Sequence, residues 1–454
     1  MTEQLWGPQT ERAVANVGRI AGPLPADLIA AIVAIKIEAA SFNTRHGVIP
    51  PEIGNAIRSA GDHLLTGDLT DQFPVDVFQT GSGTSSNMNV NEVLSRLATD
   101  DSGTPVHPND HVNASQSSND VFPSAIRIAA VLRVRRTLIP ALDQLCTRLL
   151  DLSAAHADTV KLGRTHLMDA VPMTFGQEVG GWARAVELTQ PLIATASERL
   201  HELALGGTAV GTGLNAPPGF GAEVAAALGD RFGAPFHEAV DHFESQGGQE
   251  AFGALSGACR TVALTLNKIA GDLRLLGSGP AGGLGEVIVP DLQAGSSIMP
   301  GKVNPVIMEV VQQIAAQVVG NDAAITFASS NASLQLTTAM PVMAQNLLGS
   351  VELCARAATL LADKGIALLE ANSARMREHA LRSPSLVTAL APFIGYDRAA
   401  VIAKSMVATG ATIEEAARRE LGDEAWIELA EHVAPERMVH PSGPAWSHHD
   451  PSGP

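Results

Sequence analysis

Downstream of about residue 119 the apolar positions recur at helical spacing or run on without interruption, over residues 119–157, 174–203, 250–276, 304–327 and 338–371. No alternation of strand period lies between them, so the pattern predicts five long helices, and a bundle buries such apolar faces. Pro140 predicts a kink or break in the first, because proline removes a backbone donor and crowds the preceding turn. Upstream, Leu28, Ile29, Ile32, Ile35 and Ile37 predict a mostly buried helix over 27–40, and Pro50-Pro51 opens another with Ile53, Ala56 and Ile57. Beyond residue 372 the chain becomes more charged (Arg375, Arg377, Glu378, Glu414, Glu415, Arg418, Arg419, Glu420), which reads as a small separate helical domain. The expectation is an all-α chain in four parts: a mixed, mostly helical segment 1–116, a central five-helix bundle 117–372, a C-terminal helical domain 373–439, and a tail 440–454. The tail repeats Pro-Ser-Gly-Pro around His448-His449, and disorder is expected there.

Composition sharpens this picture. Of 454 residues 45% are hydrophobic and only 17% charged, so part of one chain's surface is expected to be covered by another. Aromatics are 4%, with Tyr396 the single tyrosine, leaving alanine, leucine and valine to pack helices closely. A net charge of -17 argues against nucleic acid, and it obliges any anionic substrate to find a locally positive pocket. Cys146, Cys259 and Cys354 lie far apart in apolar surroundings, without metal-binding spacing, and read as free thiols of a reducing cytosol. The opening Met1–Trp6 has neither a basic nor an apolar leader region, so a cytoplasmic protein is expected. The uncharged run 323–350 is long enough for a bilayer but holds Asn331, Gln335, Thr337, Pro341 and Gln345, which suits bundle interior, not membrane.

Candidate chemistry concentrates in a few loops. Gly295-Ser296-Ser297-Ile298-Met299-Pro300-Gly301-Lys302-Val303-Asn304-Pro305 brings a hydroxyl, an ammonium and a carboxamide beside a helix start, with Asn304 read as its cap. Lys302 is one of only six lysines, which makes it harder to dismiss as a generic surface charge. Ser82, Gly83 and Thr84 sit in a Gly/Ser loop ahead of another helix, and Ser117, Ser118 and Asn119 open the helix that contains Pro123. Serine and asparagine at such places are caps on residue type alone, yet the free amides beside them also make a carboxylate cradle. The stretch 161–170 reads as a loop at Gly163, carrying Arg164, Thr165 and His166. Glu309 is the single charge between Val303 and Asn321, and a carboxylate there requires a partner.

The 295–304 string resembles the signature loop of the fumarase/aspartase superfamily, Gly-Ser-Ser-x-Met-Pro-x-Lys-x-Asn. Gln79–Glu92 resembles that superfamily's first substrate loop, and Gly163-Arg164-Thr165-His166 with His107-Pro108-Asn109-Asp110 falls on the side of class II, metal-independent fumarases; aspartases carry other residues at the two histidines. The resemblance extends to about Val439. It implies an all-α fold with a twenty-helix core in a homotetramer whose active sites are shared between subunits. It implies a hydro-lyase, reversible hydration of fumarate to L-malate in the tricarboxylic acid cycle, without metal or organic cofactor. By resemblance Ser296 is the catalytic base, and His166 with Glu309 handles the water. The dicarboxylate is held by Ser82, Gly83, Thr84, Ser117, Ser118, Asn119, Thr165, Lys302 and Asn304. His107, Asn109 and Asp110 form a second dicarboxylate site. The chain departs from the family pattern at Ala281, Asp291–Ala294, Leu334–Thr337 and Leu390-Ala391-Pro392, none of which removes a proposed chemical group. An ammonia-lyase acting on aspartate, and a non-catalytic relative, are the alternatives.

Overall fold

The computed structural model describes residues 4–67 and 70–440; the expected disorder of the tail therefore falls outside the described residues, save His440. The chain forms two compact units, one of Met1–Leu142, Leu188–Thr265 and Gln313–Ala357, the other of Asp143–Glu187, Leu266–Gln312 and Ala358–Pro454. The divisions fall inside or between consecutive long helices, so each unit is built from helix segments distant in sequence.

In the first unit the helix Ala26–Arg45 is buried nearly all round. It meets the helix Pro51–Thr66 closely at Gly61, where an added Cβ would lie 2.4 Å from Ile37 Cγ1. Glycine suits this crossing because the Ile37 side chain occupies the space a Cβ would need. The helix Ser118–Arg133 follows, with Ser117 and Asp120 closing a capping box; Pro123 lies inside the helix, past its first turn, where its missing N–H leaves the Asn119 carbonyl without an intrahelical donor. The break expected at Pro140 takes the form of a wider π turn over Val134–Leu138 before the helix Ile139–Ala155. The helix Glu250–Leu276 matches its expected range; Val306–Ser329 and Met340–Leu360 match theirs to within a few residues apart from the latter's early end, where a π turn continues to Ile366. Among the described residues no helix is long and apolar enough to cross a membrane.

Three local expectations are corrected. The run 174–203 is two helices, Phe175–Glu187 and Gln190–Glu198, because Pro191 starts a new helix. The stretch 161–170 is not a loop: β1 (Val160–Thr165) pairs antiparallel with β2 (Met168–Thr174). His166 and Leu167 alone form its turn, with φ of 56° and 61°. Such a turn normally uses glycine or asparagine, so no sequence signal announced it. Third, Asn304 does not cap the following helix, which begins at Val306; its side chain is used inside the loop instead.

The second unit contains this hairpin, the 295–305 loop and the C-terminal helices. The latter pack around Leu386, Leu390, Ile402, Met406 and Trp426, a cluster made entirely from residues beyond 385.

Candidate active site

Two helix starts meet in the first unit. Ser82 Oγ lies 2.8 Å from Thr84 Oγ1, which lies 2.7 Å from Ser118 Oγ, so three hydroxyls form a chain. Gly83 has φ 74°, and a Cβ on it would stand 2.2 Å from the Phe122 ring, which excludes any other residue. Ser117 Oγ accepts from the Asn119 amide at 3.2 Å, and Asn119 Nδ2 donates to Ala209 O at 2.8 Å. The structure thus brings together Ser82, Gly83, Thr84, Ser117, Ser118 and Asn119 at the N-termini of the helices Thr84–Ser102 and Ser118–Arg133, where partial positive charge favours an anion.

Behind this cradle lie two buried charges that sequence reasoning did not single out. Asp120 accepts from the amides of Ser117 at 2.9 Å, Thr208 at 3.0 Å and Gly206 at 3.3 Å. Burial nevertheless raises its pKa to about 6, against the pull of those amides and of Lys36. Lys36, fully buried, donates to Asn113 Oδ1 at 2.8 Å, an oxygen also reached by Asn87 and Asn91. Burial lowers its pKa to about 7, opposed by Asp120.

Between the unfolded value of 3.8 and about 6, folding takes up protons at Asp120, so its contribution to stability falls as pH rises. Between about 7 and 10.5, folding releases protons at Lys36, so its contribution increases with pH. The pair therefore costs most stability between about pH 6 and 7. Subtracting the denaturation profile of Lys36→Met/Asp120→Asn from that of the wild type should leave a minimum in that window; a flat difference refutes it.

His107, Asn109 and Asp110 are exposed on a short π turn. His107 Nδ1 accepts from the amides of Asn109 at 3.3 Å and Asp110 at 3.0 Å, and Asp110 Oδ2 lies 3.2 Å from the same nitrogen.

The second unit holds the remaining candidates. Ser296, half-buried, accepts at Oγ from the amides of Ile298 at 3.2 Å and Met299 at 3.1 Å. Lys302 Nζ donates to Asn304 Oδ1 at 2.6 Å, and Asn304 Nδ2 donates to Gly295 O at 2.7 Å, leaving the carboxamide one further N–H. Gly295 permits this closure, since a Cβ there would lie 1.9 Å from Lys302 O. Ser296, Lys302 and Asn304 are thereby joined in one loop. Thr165 and His166 stand exposed at the hairpin tip. Within the chain Glu309 is half-exposed and lies 3.7 Å from Arg274, so its ion pair among the described residues is with Arg274 and not with His166.

Two further carboxylates escaped the sequence reading. Glu92 accepts from the amides of Gly7, Gln9 and Thr10 and from Thr10 Oγ1 at 2.6 Å, which fastens the N-terminal segment to the helix that follows Gly83. Glu286, with no exposed side chain, lies 2.6 Å from Arg164 and 2.8 Å from His379. Burial alone would raise its pKa, but Arg164, Lys161 and His379 outweigh that and hold it below the ordinary glutamate value. Neither contact has a sequence signal, because the partners are more than ninety positions apart.

The class of protein follows from comparison with known families: the chain is a lyase. The family model described as lyase matches residues 1–320, and that described as fumarase C C-terminus matches 386–440. The class II fumarate hydratase of Pseudomonas putida is 47% identical over 446 residues, covering 96% of each chain. That of Mycobacterium tuberculosis is 48% identical over 427 residues, covering 93% of this chain and 90% of its own. Among solved structures, the class II fumarase of Schistosoma mansoni superposes with a TM-score of 0.93 at 34% identity, covering 98% of this chain and 97% of its own. A fumarate lyase:delta crystallin protein from Brucella melitensis gives 0.92 at 40%, covering 97% of each. The chain belongs to the class II fumarate hydratase family.

Proposed function

We infer that this chain is a fumarate hydratase that interconverts fumarate and L-malate, with Ser296 as the base that takes the C3 proton of malate. Removing that proton places a second negative charge on the adjacent carboxylate, and preorganised donors must stabilise the resulting aci-carboxylate. Lys302, the free N–H of Asn304, and the Ser117–Asn119 helix start are of the right kind. Thr165 is a further donor, and the hydroxyls of Ser82 and Thr84 with the Gly83 amide hold the dicarboxylate. His166 gives a proton to the hydroxide leaving C2, oriented by Glu309 of another chain in the assembly inferred below, and His107, Asn109 and Asp110 form a peripheral dicarboxylate site. The observation that carries the mechanism is the pair of amides directed at Ser296 Oγ. Hydrogen bonds to an oxygen favour its charged form, which is what a serine base requires.

The assembly we infer is a homotetramer with shared sites. Its support is the uncovered apolar face of the helix Val306–Ser329, where Ala316, Val319, Gly320, Ala323 and Phe327 recur at helical spacing and all are exposed, Phe327 at 71%. The parts 1–116, 117–372 and 373–439, and a cytoplasmic location, belong to the same reading.

Purified protein should form fumarate from L-malate, followed by ultraviolet absorbance, and release no ammonia from aspartate. Ammonia from aspartate with no fumarate from malate sinks the assignment and favours an aspartate ammonia-lyase.

A further inference from the structure

A carboxylate without exposed surface is tolerated only where cations and donors face it. Around Glu286 these come from two other parts of the second unit. Arg164 Nη2 donates to Oε1 at 2.6 Å. His379 Nδ1 lies 2.8 Å from the same oxygen, and donates because a carboxylate only accepts. Lys161 Nζ stands 3.5 Å from Oε2 and 2.7 Å from Glu178.

The backbone of Glu286 is held as firmly. Its amide donates to Leu276 O at 2.8 Å, its carbonyl accepts from Asn372 N at 2.9 Å, and Val287 and Ile288 then pair with Ala371 and Glu370. Asn372 Nδ2 also donates to Gly285 O at 3.0 Å. Glu286 is thus a fixed point at the root of the segment leading to Ser296. Its partner Arg164 lies on β1, two residues before His166, and bonds Leu162 O at 3.3 Å as well.

We propose that Glu286 is a positioning residue: its carboxylate holds Arg164, and through it the hairpin tip with Thr165 and His166, against the root of the loop that carries Ser296. His379 brings the C-terminal helices into the same joint. The proposal rests on the reading of His166 and Ser296 as reacting residues. Small displacements of such groups reduce turnover strongly, whereas ground-state binding by other residues is spared. The competing account is that Glu286 only neutralises buried cations.

A neutralised pair separates the two. Glu286→Gln alone leaves Lys161 with Glu178 and takes from Arg164 its paired carboxylate, and loss of folding stability is expected. Glu286→Gln/Arg164→Gln removes one charge of each sign and should recover the melting temperature. Its kcat for malate should stay down at least about tenfold while KM changes less than about threefold. Arg164→Lys keeps the cation but lacks the fork that serves Glu286 and Leu162 O together, and should show the same split without losing stability. Hydrogen exchange read by mass spectrometry should quicken at residues 164–169 and 289–303 in both variants. Wild-type kcat, or wild-type exchange in those two segments, in the double variant and in Arg164→Lys overturns the proposal. So does a raised KM at unchanged kcat. If the wild type makes no fumarate from malate, the functional reading is what fails, and the exchange data alone decide whether Glu286 positions the two segments.

Discussion

Ser296→Ala is expected to lower malate turnover at least about a hundredfold, the ordinary contribution of a positioned general base. A factor of that size is about 2.7 kcal/mol of transition-state stabilisation. The serine also accepts two loop amides, each net hydrogen bond being worth about 1 kcal/mol. Loosening of the loop alone would therefore come close to the expected loss, and two controls separate the explanations. Ser297→Ala, in the same exposed turn, should stay within about threefold of wild type if the chemistry belongs to Ser296. Calorimetric binding of succinate, a dicarboxylate with no reaction open to it, should persist in Ser296→Ala, since Lys302, Asn304 and the Ser117–Asn119 start remain. Near-normal turnover removes serine from the role of base, and lost succinate binding makes it a loop anchor.

Activity should also return when two dead proteins are combined. Ser296→Ala and His166→Asn, each inactive alone, are to be unfolded together and refolded as an equal mixture. If each site draws its serine from one chain and its histidine from another, random assortment in a closed oligomer restores roughly a quarter of the sites. The physical ground is what surrounds these residues in one chain. Leu167 and Met168 beside His166 are 72% and 70% exposed, and Ile298 near Ser296 is 83% exposed. Apolar side chains clustered at two reacting tips call for a covering surface, and the helix Val306–Ser329 leaves apolar residues uncovered as well. A site contained within one chain predicts no recovery at any mixing ratio, so the absence of activity in well-refolded mixtures refutes sharing.

The long helices were legible in the sequence because burial imposes a 3.6-residue period that local order preserves, as in Glu250–Leu276. The candidate residues Ser296, Lys302, Asn304 and Ser117–Asn119 were legible for another reason: each cluster is contiguous, so its chemistry appears in one short string. The helix break at Leu188-Thr189 was available too, in Pro191, and the apolar run obscured it. What the sequence by itself determined was therefore the helical class and the inventory of chemical groups. Tertiary structure alone decided how those groups are held. The His166-Leu167 turn adopts left-handed backbone without glycine, which only the paired strands on either side can impose. Asn304 gives up a cap for bonds to Gly295 and Lys302 because closing the loop places both within reach. Lys36, Asp120 and Glu286 look like surface charges in a linear reading. They are buried because partners distant in the chain meet them there, and a low-dielectric interior retains charge only where such partners are brought together.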